Sequence, residues 1–537
     1  MDAHPNRRYF VLKSIILNNL YAVDIMEEAV EICKLRLFLK LAAQVEPDNT
    51  KDNLGIEPLP DIDFNIRAGN TLVGYATYDE VKKAVTSKLD FDNAMEKIAV
   101  KAADLQQTFD KFRQLQTEGD GSVPFADKLE LQKRLKALED ELNRHLAVEY
   151  GVKVSDKVAY AKWVKSHQPF HWFIQFYGIL TSGGFDVIIG NPPYVEISKL
   201  RDYSIRNLST VACGNLYCPM LERFAALGTR TFRIGVIVPL SLSCTERMQE
   251  LRTVLESRLA NGWISHYSGE GNPSKIFEGV NFRLDILLGI GGSSFTLWSS
   301  QYMKWFADAR PALFTSIYYT QVPRNLWYLE LFPKLGTDLG RSVFKKLLSK
   351  SPLGRFVSKT GKTIYVHRVM TMFVKCFDFV PYFRNETDGV KKSEDYKPYL
   401  FSPSDRADLA SAVLNSSTFF FYFIALGDCF HCGKEYVLQF PVDLDDAHDR
   451  FGKEMVSLAQ RLMRDLKKNA VRQRVVSEMT GVSEYDRFWP SASKPILDEI
   501  DTVLAKHYGF TAEELDFILN YDIKYRLGRS GGEQEED

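Results

Sequence analysis

No run in the 537-residue sequence is long and apolar enough to span a membrane as a helix, so no transmembrane helix is expected. The opening residues, MDAHPNRRYF, carry basic side chains without an apolar core behind them, and no secretory signal is expected there. The seven cysteines are scattered and form no disulfide framework, a usage that suits a reducing cytoplasm. Charge of one sign is missing too. With 68 Lys and Arg against 69 Asp and Glu, any surface for a polyanion has to come from local asymmetry. Glycine is absent from the residues ahead of the first apparent strand, LYAVD at 20–24. GIGGSS at 289–294 is glycine-rich but lies late in the chain, with no clear helix after it.

What is present is ample core material. An apolar fraction of 45% with 13% aromatics fits a globular chain of two or three domains. The pattern centres on Phe185 to Tyr194, FDVIIGNPPY. Val187, Ile188 and Ile189 form a short β-branched run after Gly183 and Gly184, which predicts a buried strand. Gly190 ends it, and Asn191-Pro192-Pro193-Tyr194 follows as a stiff loop, because the two prolines fix φ and remove two backbone donors. The Asn191 side-chain oxygen and the Pro192 carbonyl then form a pair of acceptors beside the Tyr194 ring. That cradle suits a planar substrate carrying an NH2 group. A rigid turn without chemistry is the bland alternative.

The whole combination resembles the catalytic motif of amino-methyltransferases that use S-adenosylmethionine, and FDVIIGNPPY is close to its form in adenine-N6 DNA methyltransferases. The resemblance extends along the chain to large restriction-modification or phage-defence enzymes of the type IIG or BREX kind. It implies an α/β fold: a Rossmann-like methyltransferase sheet, truncated at its N-terminus, with a helical insertion, then an α+β target-recognition domain and a helical C-terminus. The expected divisions are 1–78 (second and third motifs), 79–165 (helical insertion), 166–300 (the Asn-Pro-Pro-Tyr and later motifs), 301–445 (DNA specificity) and 446–537 (helical, with a disordered acidic tail after Gly528).

The candidate residues follow in order. LYAVD reads as a strand ending in an acid, and Ile25 to Gln44 as a helix with Ile25, Ala29, Ile32, Leu35 or Arg36, and Leu39 on one face. An acid at a strand end can hold both hydroxyls of a ribose, so Asp24 with Ile25 is assigned to the cofactor, a helix cap being the alternative for Asp24. In DFNIRAGNTLVGY (63–75) the matching residue is Asn70, as a cofactor contact or a turn cap. Leu129, Leu131, Leu135, Leu138 and Leu142 mark a helical hairpin with a GDGS turn at 119–122. NLYCPMLERFAALG (215–228) reads as a helix, RIGVIVPLSL (233–242) as a strand, and KIFEGVNFRLDILLGI (275–290) as the last strands of the sheet. The resemblance implies an aromatic from that last segment against the target base beside Tyr194: Phe277 first, Phe282 second.

Residues 341–397 supply the missing asymmetry, with thirteen Lys and Arg against five acids and interleaved aromatics. Lys359, Lys362, Arg368 and Arg384 are the candidate DNA contacts. Cys429, His431 and Cys432 lack a second ligand pair, so no metal is expected. Thr511 with Glu514 forms a capping-box pattern.

The resemblance implies S-adenosylmethionine as cofactor and double-stranded DNA as partner. It also implies a glycine-rich cofactor loop before LYAVD, and none is there. Three expectations are compatible with that: an upstream polypeptide supplies the piece, the chain is a fragment, or it recognises DNA without methylating it. A protein-glutamine methyltransferase shares the Asn-Pro-Pro-Tyr logic and is the remaining alternative.

Overall fold

A computed structural model describes residues 6–51, 54, 56–86, 92–117, 124–201, 203–270, 275–477 and 481–527. The GDGS turn and the acidic tail lie outside the described residues. The chain divides into two compact units. The first comprises residues 1–234 with 253–258 and 290–292, and the second comprises 235–252, 259–289 and 293–537.

In the first unit, strand β1 (Ala22–Asp24) pairs in parallel with β2 (Ile66–Ala68), matching Asp24 to Ala68. Between them runs helix Glu27–Ala42, with Glu27 and Glu28 in its first turn, where the helix dipole favours acids. Strand β3 (Phe185–Gly190) is not paired with β1 or β2. It is the edge strand beside β4 (Gly228–Pro239). The expected single sheet is therefore present here as two separate pieces. Val23 and Tyr21 still pack in one apolar cluster with Phe185 and Ile188, and the Tyr21 and Phe185 rings lie 6.1 Å apart.

The insertion is helical as expected, with long helices Asp92–Thr117 and Phe125–Glu149. Leu131, Leu138 and Leu142 are buried in their core, whereas Leu129 is exposed. The core continues to Tyr75, against which His171 stacks. The His171 Nδ1 accepts the Tyr75 backbone N–H at 3.2 Å. Its Nε2 lies 3.0 Å from the Asn143 side-chain oxygen, so Nε2 carries the proton. Burial pushes the His171 imidazole down from 6.5 to about 3.

This has a consequence for stability. Below pH 6.5 the unfolded chain takes up a proton that the folded chain refuses until about 3. The unfolded state binds more protons in that window, so stability falls as pH falls, by about 1.4 kcal/mol per pH unit from this group. His171→Phe, less stable at pH 7, is expected to lose about 2 kcal/mol less than wild type between pH 7 and pH 5, as read from urea midpoints. Equal losses in the two proteins would refute the assignment.

From Gly235 of β4 onward the strands belong mainly to the second unit, in the order β4, β6 (Leu284–Gly291), β5 (Leu259–Tyr267), β7 (Thr296–Met303) and β8 (Thr320–Val322). β5 and β7 run parallel, and β8 is antiparallel to β7. In KIFEGVNFRLDILLGI only the second half forms a strand. A second sheet joins β9 (Val357–His367), β10 (Cys376–Phe377) and β13 (Tyr396–Phe401), with β9 central. A third joins β11 (Phe383–Asn385) and β12 (Gly389–Val390) to a hairpin, β14 (Val471–Ser477) and β15 (Gly481–Arg487). That hairpin interrupts the C-terminal region expected to be mostly helical.

Helices Ser404–Asn415 and Ser417–Leu426 form the centre of the unit, buried from Ala407 to Leu426. Buried Asp501 caps the second of them, accepting from the backbone N–H groups of Ser417 and Thr418 at 2.8 and 2.9 Å. The Thr511–Glu514 capping box is present. Among the described residues no single helix is long and apolar enough to cross a membrane.

Candidate active site

The Asn-Pro-Pro-Tyr loop leaves the end of β3 in the first unit. Its start is set by Gly183 and Gly184, at φ +110° and +115°, a region open to glycine but strained for other residues. A Cβ on Gly184 would sit 2.4 Å from the Leu227 carbonyl oxygen, whereas one on Gly183 would meet nothing within 4 Å. Gly184→Ala is therefore expected to cost about 2–3 kcal/mol more than Gly183→Ala, measured by chemical denaturation. Equal costs would remove the argument from close approach.

Past the loop, the chain is pinned to the segment before helix Tyr217–Leu227. The Ile197 N–H donates to the Gly214 carbonyl at 2.9 Å and the Leu216 N–H to the Val195 carbonyl at 2.9 Å. That helix is anchored in turn by the Arg223–Glu80 ion pair at 2.8 Å, with Arg223 buried. Sequence reasoning did not single out Gly214, which ends the turn Ser209–Cys213 at φ +75°, although an isolated glycine between two apolar segments is a turn signal.

Within the loop, Asn191 and Pro193 are exposed, Pro192 is buried and Tyr194 is half-buried. The Tyr194 hydroxyl donates to Asn191 Oδ1 at 2.6 Å, and burial pushes the Tyr194 phenol up to about 12. The phenol is therefore a neutral donor at physiological pH, and Asn191 presents its oxygen as acceptor.

β3 differs from expectation. Val187 and Ile189, two apart and so on one face of the strand, are 60% and 80% exposed. Helix Glu27–Ala42 behaves alike: Ile32, Leu35 and Leu39 on its predicted inner face are exposed. The residues that pack inward are Val30, Cys33, Leu37, Phe38 and Leu41. The helix is apolar on two sides, and among the described residues one of them is uncovered.

Asp24 is exposed at the end of β1. Its Oδ1 accepts the Met26 N–H at 2.8 Å, and its backbone carbonyl accepts the Gly69 N–H at 2.8 Å. Among the described residues Oδ2 has no hydrogen-bond partner, and exposed Ile25 and Met26 lie beside it in the chain. Asn70, in contrast, is buried with its amide engaged. Nδ2 donates to the His167 carbonyl at 3.0 Å and lies 2.9 Å from the Tyr203 hydroxyl, while Oδ1 accepts the Leu72 N–H at 3.1 Å. Its geometry is that of the turn cap.

Phe277 and Phe282 belong to the second unit and are 39% and 50% exposed. Among the candidate DNA contacts in that unit, Lys359 is exposed, with no ion pair among the described residues. Lys362 is held between Asp378 and Asp408. Arg368 pairs with Asp395 at 2.6 Å, and Arg384 lies 3.8 Å from Glu484. The local positive excess is thus partly neutralised within the fold.

A second constellation invites comparison with nucleophilic catalysis. His266 Nδ1 lies 2.7 Å from Asp285 and Nε2 lies 3.0 Å from Ser299 Oγ. All three side chains are fully buried, and the Ser299 hydroxyl is also 2.7 Å from the Pro333 carbonyl. No substrate reaches this serine, so the group is a core polar network.

Comparison with known proteins places the loop in context. Residues 18–277 match the model of the Eco57I restriction-modification methylase. A Methanocaldococcus jannaschii protein, RM.MjaORFECS2P, whose name assigns it to type II restriction enzymes and methyltransferases, is 28% identical over 284 residues, covering 46% of this chain and 24% of the relative. The chain thus spans about a quarter of that relative's length.

Among solved structures, the DNA-bound type ISP enzyme LlaBIII aligns at 12% identity over 66% of this chain and 20% of its own, with a TM-score of 0.30. The type IIG endonuclease BpuSI aligns at 11% over 96% and 76%, with a TM-score of 0.25. At these scores neither bears on the fold. The strand, the loop and the acid at the end of β1 all fall inside residues 18–277, the segment that matches the Eco57I restriction-modification methylase model.

Proposed function

We propose that the chain is the methylase and specificity part of a restriction-modification or phage-defence enzyme that methylates N6 of adenine in duplex DNA. The observation that carries this reading is the exposed Asn191 oxygen, held at the end of β3 beside the Tyr194 ring. Chemistry on a stacked base requires the base to be flipped out. Asn191 Oδ1 and the Pro192 carbonyl would accept the two N6 hydrogens, orienting the nitrogen lone pair, while Tyr194 stacks on the ring. Positioning and electrostatics carry the rate.

The free Asp24 carboxylate oxygen and the apolar surface of Ile25 and Met26 fit the ribose and adenine of S-adenosylmethionine, which supplies an electrophilic methyl group when bound. Asn70 caps its own turn after β2 and ties it to His167 and Tyr203. Phe277 or Phe282 is the aromatic proposed for the target base. Lys359, Lys362, Arg368 and Arg384 are proposed to grip phosphates, Lys359 with the least competition from carboxylates.

The uncovered side of helix Glu27–Ala42 and the exposed face of β3 support a further partner. Burying Ile32, Leu35, Leu39, Val187 and Ile189 would yield about 1.5–3 kcal/mol each. We assign that surface to a strand-and-helix segment of additional polypeptide carrying the glycine-rich cofactor loop, as in a split methylase.

Calorimetric titration with S-adenosylmethionine tests this, first on the chain alone and then with the product of the upstream gene. Binding only in the second case establishes the split enzyme, and plasmid methylation with sequencing should then find N6-methyladenine. No binding in either case would leave a DNA-recognition subunit as the reading. Methylation of a protein substrate instead of plasmid would point to the glutamine methyltransferase.

A further inference from the structure

The second unit contains a cavity of about 760 Å³, of whose lining the function proposed above uses Arg368 alone. It is walled by the start of β9, by residues 397–400 of β13 and by the segment 431–434. That segment is fixed in place. The Cys432 N–H donates to the Arg368 carbonyl at 2.7 Å, and the Met370 N–H donates to the Phe430 carbonyl at 2.8 Å. Val369 and His431 form an antiparallel bridge.

Arg368, Lys397 and Lys434 line the cavity, and among the described residues no Asp or Glu does. Lys397 and Lys434 are exposed and make no ion pair among the described residues. Arg368 uses Nε to hold Asp395, and a guanidinium retains further donors in its fork. Ser358 and His431 also line it, and the rest of the wall is largely apolar, with Val357, Tyr399 and Leu438 and the Tyr399 ring nearly buried.

We infer that this cavity is a binding site for one nucleotide, its phosphate against Lys397, Lys434 and Arg368 and its base on the apolar wall. A lone phosphate would leave most of the volume and all of the apolar wall unused. A neutral apolar ligand would leave the cations unmatched. The size lies within the range of small-molecule sites, and a planar base on an apolar and aromatic wall is the usual way such a ring is held. The nucleotide has two sources: a free 5′-mononucleotide, or one residue of a DNA strand. The second source rests on the DNA reading proposed above.

The test uses the full chain, with Lys397→Glu and Lys434→Glu singly and together. Both lysines are exposed, and a thermal melt checks that the variants fold. The probes are dAMP, inorganic phosphate and a short fluorescein-labelled duplex. Wild type is expected to bind dAMP more tightly than phosphate, or to bind the duplex, and the double reversal should weaken that binding at least tenfold. With the duplex, the slope of log affinity against log salt should also shrink by about two.

Competition by dAMP against the duplex at this site would place a DNA nucleotide in it, whereas dAMP binding without competition would indicate a free nucleotide. Duplex binding unchanged in the double variant, with no lysine-dependent dAMP binding, would overturn the pocket and leave the DNA reading standing. Lysine-dependent dAMP binding without duplex binding would uphold the pocket and sink the DNA reading. Binding of neither probe would overturn the pocket.

Discussion

Asn191→Ala is expected to lower methyl transfer to plasmid DNA by about 10²–10³-fold or more while leaving duplex affinity nearly unchanged. The magnitude is that of removing one preorganised polar contact to the reacting group. The side chain is exposed and, among the described residues, its hydrogen-bond partner is the Tyr194 hydroxyl, so the fold has little to lose and thermal stability should move by less than about 0.5 kcal/mol. Tyr194→Phe separates the two roles of that tyrosine. It keeps the ring and deletes the hydroxyl, so transfer should persist where Asn191→Ala abolishes it. The assay follows tritiated methyl incorporation in whichever preparation binds S-adenosylmethionine. Near-normal transfer by Asn191→Ala would sink the assignment of the loop.

Asp285→Ala is expected to cost the second unit about 3–5 kcal/mol. Asp285 is fully buried between His266 and Ser243, with contacts of 2.7 and 2.6 Å. Truncation strands the buried Ser243 hydroxyl and imidazole in the core, and each stranded group costs about 1–3 kcal/mol. Asp285→Asn, which keeps the shape and one acceptor, should cost less. Urea unfolding followed by circular dichroism reads both. A loss under about 1 kcal/mol for the alanine variant would mean that the network contributes little, and the comparison with a catalytic triad would need reopening.

How much of this was legible in the sequence depended on the range of the interaction. The Asn-Pro-Pro-Tyr loop was legible because its stiffness is local, written in two adjacent prolines. Helix Glu27–Ala42 was predicted within two residues at each end, but its inward face was not. Ile32, Leu35 and Leu39 make one apolar stripe and Val30, Leu37 and Leu41 make another, and periodicity cannot rank two stripes. The same limit applies to β3, where a β-branched run announces a strand but not what covers it.

The hairpin at 471–487 was missed because VRQRVVS and GVSEYDR are rich in charge and their faces are both partly exposed. The neutralisation of Lys362 was beyond reach: its partner Asp408 lies 46 residues away. For Asn70 the two readings were open, and only the positions of His167 and Tyr203 show its amide engaged.

The short contact between the Tyr194 hydroxyl and Asn191 Oδ1 makes the loop its own placeholder. A visiting group that brings a hydrogen to Asn191 exchanges one bond for another of the same kind. A visitor that presents a carbonyl there, as thymine would, displaces the phenol and leaves two lone pairs face to face. On the function proposed above, the loop would sort bases by hydrogen-bond polarity before shape is consulted, starting from the bond that Tyr194 already makes to Asn191.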